Sequence, residues 1–125
     1  MKDIKENKKR IHFVIPNNTP PSLNKIKGQP FGYVSRIKKE WSNILYVYSY
    51  NAGWRPAEKK GHYRNARIVL RFPDKKRRDL DNFQKILLDA LFYAGLIWDD
   101  SVQKLNFTLT ILPNTGKRET EITLW

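Results

Sequence analysis

From Arg71 to Ser101 the chain reads RFPDKKRRDLDNFQKILLDALFYAGLIWDDS, and here residue types and spacing could do chemistry. Asp79 and Asp81 are two residues apart, so in an extended segment both project to one side. A helix starting near Asn82 would place its positive dipole end behind them. Adjacent carboxylates repel unless one is protonated or a cation sits between them, and Mg²⁺, with Mn²⁺ as a substitute, suits oxygen-only ligands. Taken alone, Asp81 could instead cap the helix. A site is favoured by company: Asp79 lies beside it, a second acidic pair, Asp99 and Asp100, follows the helix, and basic sequence surrounds all of them.

Lys85 stands four residues after Asp81, one turn along the same helical face, where it either reaches the acids or forms an exposed ion pair with Asp81 or Asp89. Asp89 is two turns from Asp81 and is assigned to the helix surface, outside the site. A helix of about a dozen residues is roughly 18 Å long, so Asp99 or Asp100 can join Asp79 only if the chain turns back after Gly95. The run Lys75, Lys76, Arg77 and Arg78 ahead of the acids reads as phosphate contacts or, alternatively, as a solvated charged loop.

The elements that must position these residues follow from hydrophobic period. Ile11, Phe13 and Ile15 alternate as a strand does, after a polar and basic segment, residues 1–10, read as a flexible tail. Pro16 to Tyr33, with four prolines and two glycines, is a loop whose Lys25 and Lys27 are free to meet phosphate. Val34, Ile37, Trp41, Ile44 and Tyr48 predict a helix over 34–49, and Asn51 to Asn65 a second loop. Ala66, Ile68, Leu70 and Phe72 mark a strand stopped by Pro73. Phe83, Ile86, Leu87, Ala90, Leu91 and Ala94 mark a second helix, with Gly95 placed for a left-handed C-cap. Leu105, Phe107, Leu109 and Ile111 form another strand face, Pro113 to Gly116 a turn, and Ile122 with Leu124 a returning strand. The order β-α-β-α-β-β predicts one domain of the α/β (α+β) class, a mixed sheet carrying two helices.

Composition narrows the partner. Twenty-four Lys and Arg against 12 Asp and Glu give 125 residues a formal net charge of +12, which points to a polyanion. No apolar run approaches the roughly 18 residues of a membrane span, and residues 1–10 lack a signal-peptide core, so a cytoplasmic protein with no membrane partner is expected. With no cysteine, a metal must use oxygen or imidazole ligands.

The set Arg78-Asp79-Leu80-Asp81-Asn82, Lys85, Asp89-Ala90-Leu91, Gly95 and Asp99-Asp100-Ser101 resembles the core motif of RusA-type Holliday junction resolvases. Pro20-Pro21-Ser22-Leu23-Asn24 is similar to the early P-P-S-x-N loop of that family. The resemblance implies that Asp79, Asp81, Lys85 and Asp100 are the functional residues, with Asp99 in reserve. It also implies a homodimer that hydrolyses phosphodiesters at symmetric positions of a four-way DNA junction, using a divalent metal. Mg²⁺ on Asp79, Asp81 and Asp100 would polarise the phosphate and acidify a bound water, while Lys85 stabilises growing charge or orients the water. Lys25, Lys27, Lys75, Lys76, Arg77 and Arg78 would hold flanking phosphates, and Trp54, Tyr63 and Trp125, outside the clear core periods, are candidates for a dimer interface or, equally, for loop packing. A non-catalytic nucleic-acid-binding protein would explain the charge but leave the four acids without a role. A phosphatase-like site with Asp79 and Asp81 as nucleophile and acid would need a longer chain.

Overall fold

The computed structural model describes residues 10–22, 32–56, 63–97 and 105–125. Strand β1, Ile11–Pro16, and helix α1, Tyr33–Asn51, come first, followed by β2, Asn65–Arg71, and α2, Asp81–Tyr93. Strands β3, Asn106–Leu112, and β4, Glu119–Leu124, complete the expected order β-α-β-α-β-β. Helix α1 runs slightly past its expected limits at both ends, whereas α2 starts one residue early and ends one short of Ala94. Helix α1 starts after Gly32, whose φ of 90° is left-handed, and its last turn gives way to Gly53 at φ 114°. After α2 the Gly95 amide donates to Phe92 O and the Leu96 amide to Leu91 O, each at 3.0 Å, and Gly95 has φ 85°. That pair of bonds is the Schellman closure which only a residue free to adopt positive φ makes cheaply.

The four strands form one sheet in the order β1-β4-β2-β3, with β2 and β3 parallel and the other pairs antiparallel. Parallel neighbours need a crossover, and α2 lies in the connection between them. Register aligns Phe13 with Ile122, Ile122 with Ile68, and Ile68 with Leu109, so one apolar row crosses all four strands. Against that face pack Ile37, Trp41 and Leu45 of α1 with Phe83, Ile86, Leu87 and Leu91 of α2. Each such fully buried aliphatic side chain contributes about 1.5–3 kcal/mol. On the opposite face, Arg71 of β2 pairs with Glu121 at 2.7 Å and Glu119 at 3.1 Å, and His12 of β1 reaches Glu121 at 2.7 Å. The His12 bond, then the Arg71 guanidinium, hold the Glu121 carboxyl below its usual range. Three strands are thereby tied by charge on the side away from the helices.

For two of the three aromatic residues outside the core periods the structure favours packing over an interface. Trp54 and Tyr63, read as interface candidates, are 1% and 2% exposed and belong to the core. Trp54 meets Tyr46 edge-on at 5.3 Å, where the chain folds under the end of α1. Tyr63 forms a parallel bridge to Ile97, and burial pushes its phenol up to about 12. Both lie just outside regular elements, where period is a poor guide to burial. Trp125 is half-buried, with the guanidinium groups of Arg10 and Arg67 at 5.1 and 5.6 Å from its ring. Among the described residues no helix is long and apolar enough to cross a membrane.

Candidate metal and nucleic-acid site

The site is built on the loop that leaves the carboxyl end of β2. In sheets with parallel strands this end is where backbone hydrogen bonding stops and ligands are met. Phe72 is buried, Pro73 cannot extend the ladder, and the loop is then braced from the β3–β4 turn. The Asn114 amide donates to Asp74 O at 2.7 Å, and both the amide and hydroxyl of Thr115 donate to Phe72 O at 2.9 Å. Within the loop the Asp74 carboxylate accepts from Lys76 N at 3.0 Å and from Nη1 and Nη2 of Arg78 at 2.8 and 3.2 Å. Those bonds, the Arg78 side chain foremost, lower the Asp74 carboxyl to about 2.

This bracket separates the members of the basic run. Lys75, Lys76 and Arg77 are exposed, as phosphate contacts would be. The Arg78 side chain is only 9% exposed, lies 3.8 Å over the Phe72 ring, and is engaged by Asp74. Arg78 therefore shapes the loop. Lys25 and Lys27 lie outside the described residues.

Asp79 and Asp81 are both exposed and, with Leu80 and Asn82, line one shallow depression at the start of α2. Asp81 is the first helical residue rather than a cap: the N-cap position is Leu80, and no side chain bonds there. Among the described residues the Asp81 carboxylate makes no hydrogen bond or ion pair, and the nearest cation to Asp79 is Arg77 at 3.9 Å. Asp79's own carbonyl accepts from the Asn82 amide at 3.2 Å, which closes the turn that puts the two carboxylates at the positive end of the helix. Two carboxylates and the Asn82 amide oxygen are an oxygen-only donor set on an exposed surface, the chemistry that suits a hard divalent ion. Among the described residues no three His, Asp or Glu side chains gather into a metal-binding group. The third carboxylate that the family resemblance implies, Asp100 with Asp99 in reserve, lies outside the described residues.

Lys85 is 65% exposed, and its Nζ is 3.9 Å from Asp89 Oδ2, so of the two helical neighbours open to it the structure pairs it with Asp89. Asp89 is not a surface residue of the helix as expected. It is 7% exposed and paired at 2.7 Å with Lys38 of α1, a partner that sequence spacing could not identify.

A second concavity, about 300 Å³, adjoins the acids. Asp79, Asn82 and Phe83 line one side, Thr19 to Ser22 another, and Arg118 comes in from the residue before β4. The Pro20-Pro21-Ser22 segment thus meets the acid-bearing turn in space. Arg118 was not singled out from sequence, where it stands 37 residues beyond Asp81 in an unremarkable charged stretch, Lys117-Arg118-Glu119.

Residues 33–123 match the family model described as endodeoxyribonuclease RusA. The chain belongs to the RusA endodeoxyribonuclease family. It is 41% identical over 58 residues to the crossover junction endodeoxyribonuclease RusA of Escherichia coli strain K12, a stretch covering 46% of this chain and 48% of the relative. The same identity and coverage hold for the proteins so named from Shigella sonnei and from Enterobacteria phage 82. The chain spans about half the length of the curated relatives it matches.

Proposed function

We propose that this protein is a Mg²⁺-dependent endodeoxyribonuclease that resolves Holliday junctions by paired, symmetric cuts, acting as a homodimer in cytoplasmic DNA recombination and repair. The observation that carries the reading is a pair of exposed carboxylates, Asp79 and Asp81, at a helix N-terminus within a strongly basic loop. On a surface that attracts phosphate, such acids oppose binding unless a cation bridges them to the DNA. Family membership, and the name crossover junction endodeoxyribonuclease carried by the relatives, support this choice over a non-catalytic binding protein.

Asp79 and Asp81 would hold the ion together with Asp100, and Mn²⁺ would substitute for Mg²⁺. When bound, the ion would supply a Lewis acid for the phosphate and a water of lowered pKa. Lys75, Lys76 and Arg77, exposed along the same loop, would bind and orient flanking phosphates. Lys85, free to swing from Asp89, would place positive charge beside the phosphoryl oxygens as negative charge grows on them. One chain carries one Asp79-Leu80-Asp81 element and one Asp99-Asp100 element, enough for one centre, whereas resolution needs two opposed nicks. A two-fold dimer supplies the second centre by repeating one interface.

The test is incubation of the protein with an end-labelled synthetic four-way junction, with Mg²⁺ or with chelator. Paired nicks in opposing strands, lost with chelator, are expected. Binding without cleavage under every divalent condition would contradict the proposal.

A further inference from the structure

We infer that the cleft between Pro20, Phe72 and Asn82 receives a DNA backbone phosphate neighbouring the one that is cut, with Arg118 as its principal donor. The inference rests on the reading of the protein as a DNA nuclease and adds to it a binding residue from outside the basic loop.

Three observations converge on Arg118. The cleft shares Asp79 with the acidic depression, so a group seated in it lies next to the proposed centre. Arg118 is held in place beforehand: its Nη1 donates to Thr19 Oγ1 at 2.9 Å and its guanidinium lies 5.2 Å from the Phe72 ring centre. The β3–β4 turn that precedes it is itself bonded to the loop at Phe72 and Asp74. Finally, its donors are largely uncommitted. Arg78, the other guanidinium over Phe72, spends both terminal nitrogens on Asp74, whereas Arg118 makes that one hydrogen bond and no ion pair among the described residues. A fixed, fork-shaped donor with spare N–H groups in a cationic cleft is the arrangement that binds a phosphate with little further ordering.

The same geometry selects phosphate over a base. The aromatic faces a nucleobase could stack on are covered, since Phe72 and Phe83 are 1% and 2% exposed and Phe72 is overlain by two guanidinium groups. What remains accessible at the cleft wall is mainly positive charge, with Lys76, Arg77 and Arg118 set against the single carboxylate of Asp79.

The experiment is equilibrium binding of the full chain to a fluorescent four-way junction across a range of NaCl concentrations, without divalent ions. Arg118→Gln should weaken binding at least about tenfold and make the log–log salt slope shallower by about 1.8, one phosphate contact from each protomer of the proposed dimer, for any junction sequence. Arg118→Lys should retain the wild-type slope, because the charge stays while the Thr19 geometry is lost. A wild-type slope in Arg118→Gln would overturn the inference, as would a loss that depended on base sequence. If Arg118→Gln fails to fold, the wild-type protein decides: phenylglyoxal should modify Arg118 in the free protein and not in the junction complex, and equal modification in both would overturn the inference. Because these readouts need no cleavage, a failed nuclease reading would show separately, as wild-type protein that binds junctions but does not cut them.

Discussion

Lys38 Nζ lies 2.7 Å from Asp89 Oδ2 and joins the two helices by a largely buried ion pair, with Lys85 Nζ approaching the same oxygen at 3.9 Å. A buried pair is costly to break from one side, because the remaining charge loses its partner without regaining water. Asp89→Ala should therefore cost about 3 kcal/mol in urea unfolding, and Lys38→Met with Asp89→Leu together should cost less than that single change. A loss under about 0.5 kcal/mol for Asp89→Ala would mean the pair is no more than a surface contact.

The same arrangement leaves Lys85 with a resting partner that is not part of the acid pair. If Lys85 leaves Asp89 to meet the phosphate in the transition state, Lys85→Ala should slow single-turnover cleavage about a hundredfold, with only a small change in junction affinity. An unchanged rate would confine Lys85 to its pairing with Asp89.

The loop bracket has a pH signature. Asp74 is held at about 2, below its ordinary 3.8, so its bonds to Arg78 and Lys76 are fully present above pH 4 and weaken as pH falls toward 2. A carboxyl-carbon NMR titration should give a midpoint near 2, and Arg78→Ala should return it toward 3.8. An ordinary midpoint in the intact protein would mean that Arg78 is not held as described, and its side chain would rejoin the phosphate contacts.

The later acids can be ranked by substitution. Asp100→Asn should reduce cleavage as severely as loss of Asp79, and Asp99→Asn should be milder. Measured rates in the reverse order would move the third ligand by one residue.

Element order was legible because the apolar positions repeat cleanly: Ile11, Phe13 and Ile15 with period two, and Phe83, Ile86, Leu87, Ala90 and Leu91 with the helical period. Gly95 was legible because few residues tolerate its positive φ. The Asp79-Leu80-Asp81 pair likewise stood out, but not its geometry: Leu80 is helical, with φ −55° and ψ −42°, so the two carboxylates sit on a turn entering α2 and not on an extended segment. Relations across the chain were not legible. The place of β4 between β1 and β2, the Lys38 partner of Asp89, and the approach of Arg118 to Thr19 depend on contacts separated by dozens of residues that leave no local period. The burial of Trp54 and Tyr63 was not legible for a related reason: each lies outside a regular element, where no period marks the buried positions.

The central claim is that Asp79 and Asp81 form the cleavage centre and are not needed to grip DNA. It is tested most directly by measuring binding and Mg²⁺-supported cleavage of one labelled four-way junction by wild type, Asp79→Asn and Asp81→Asn side by side. Each variant should lose cleavage by at least about a thousandfold while binding the junction as tightly as wild type or more tightly, because a negative charge has left a phosphate-binding surface. Cleavage at the wild-type rate by both variants would contradict the assignment, whatever their affinity.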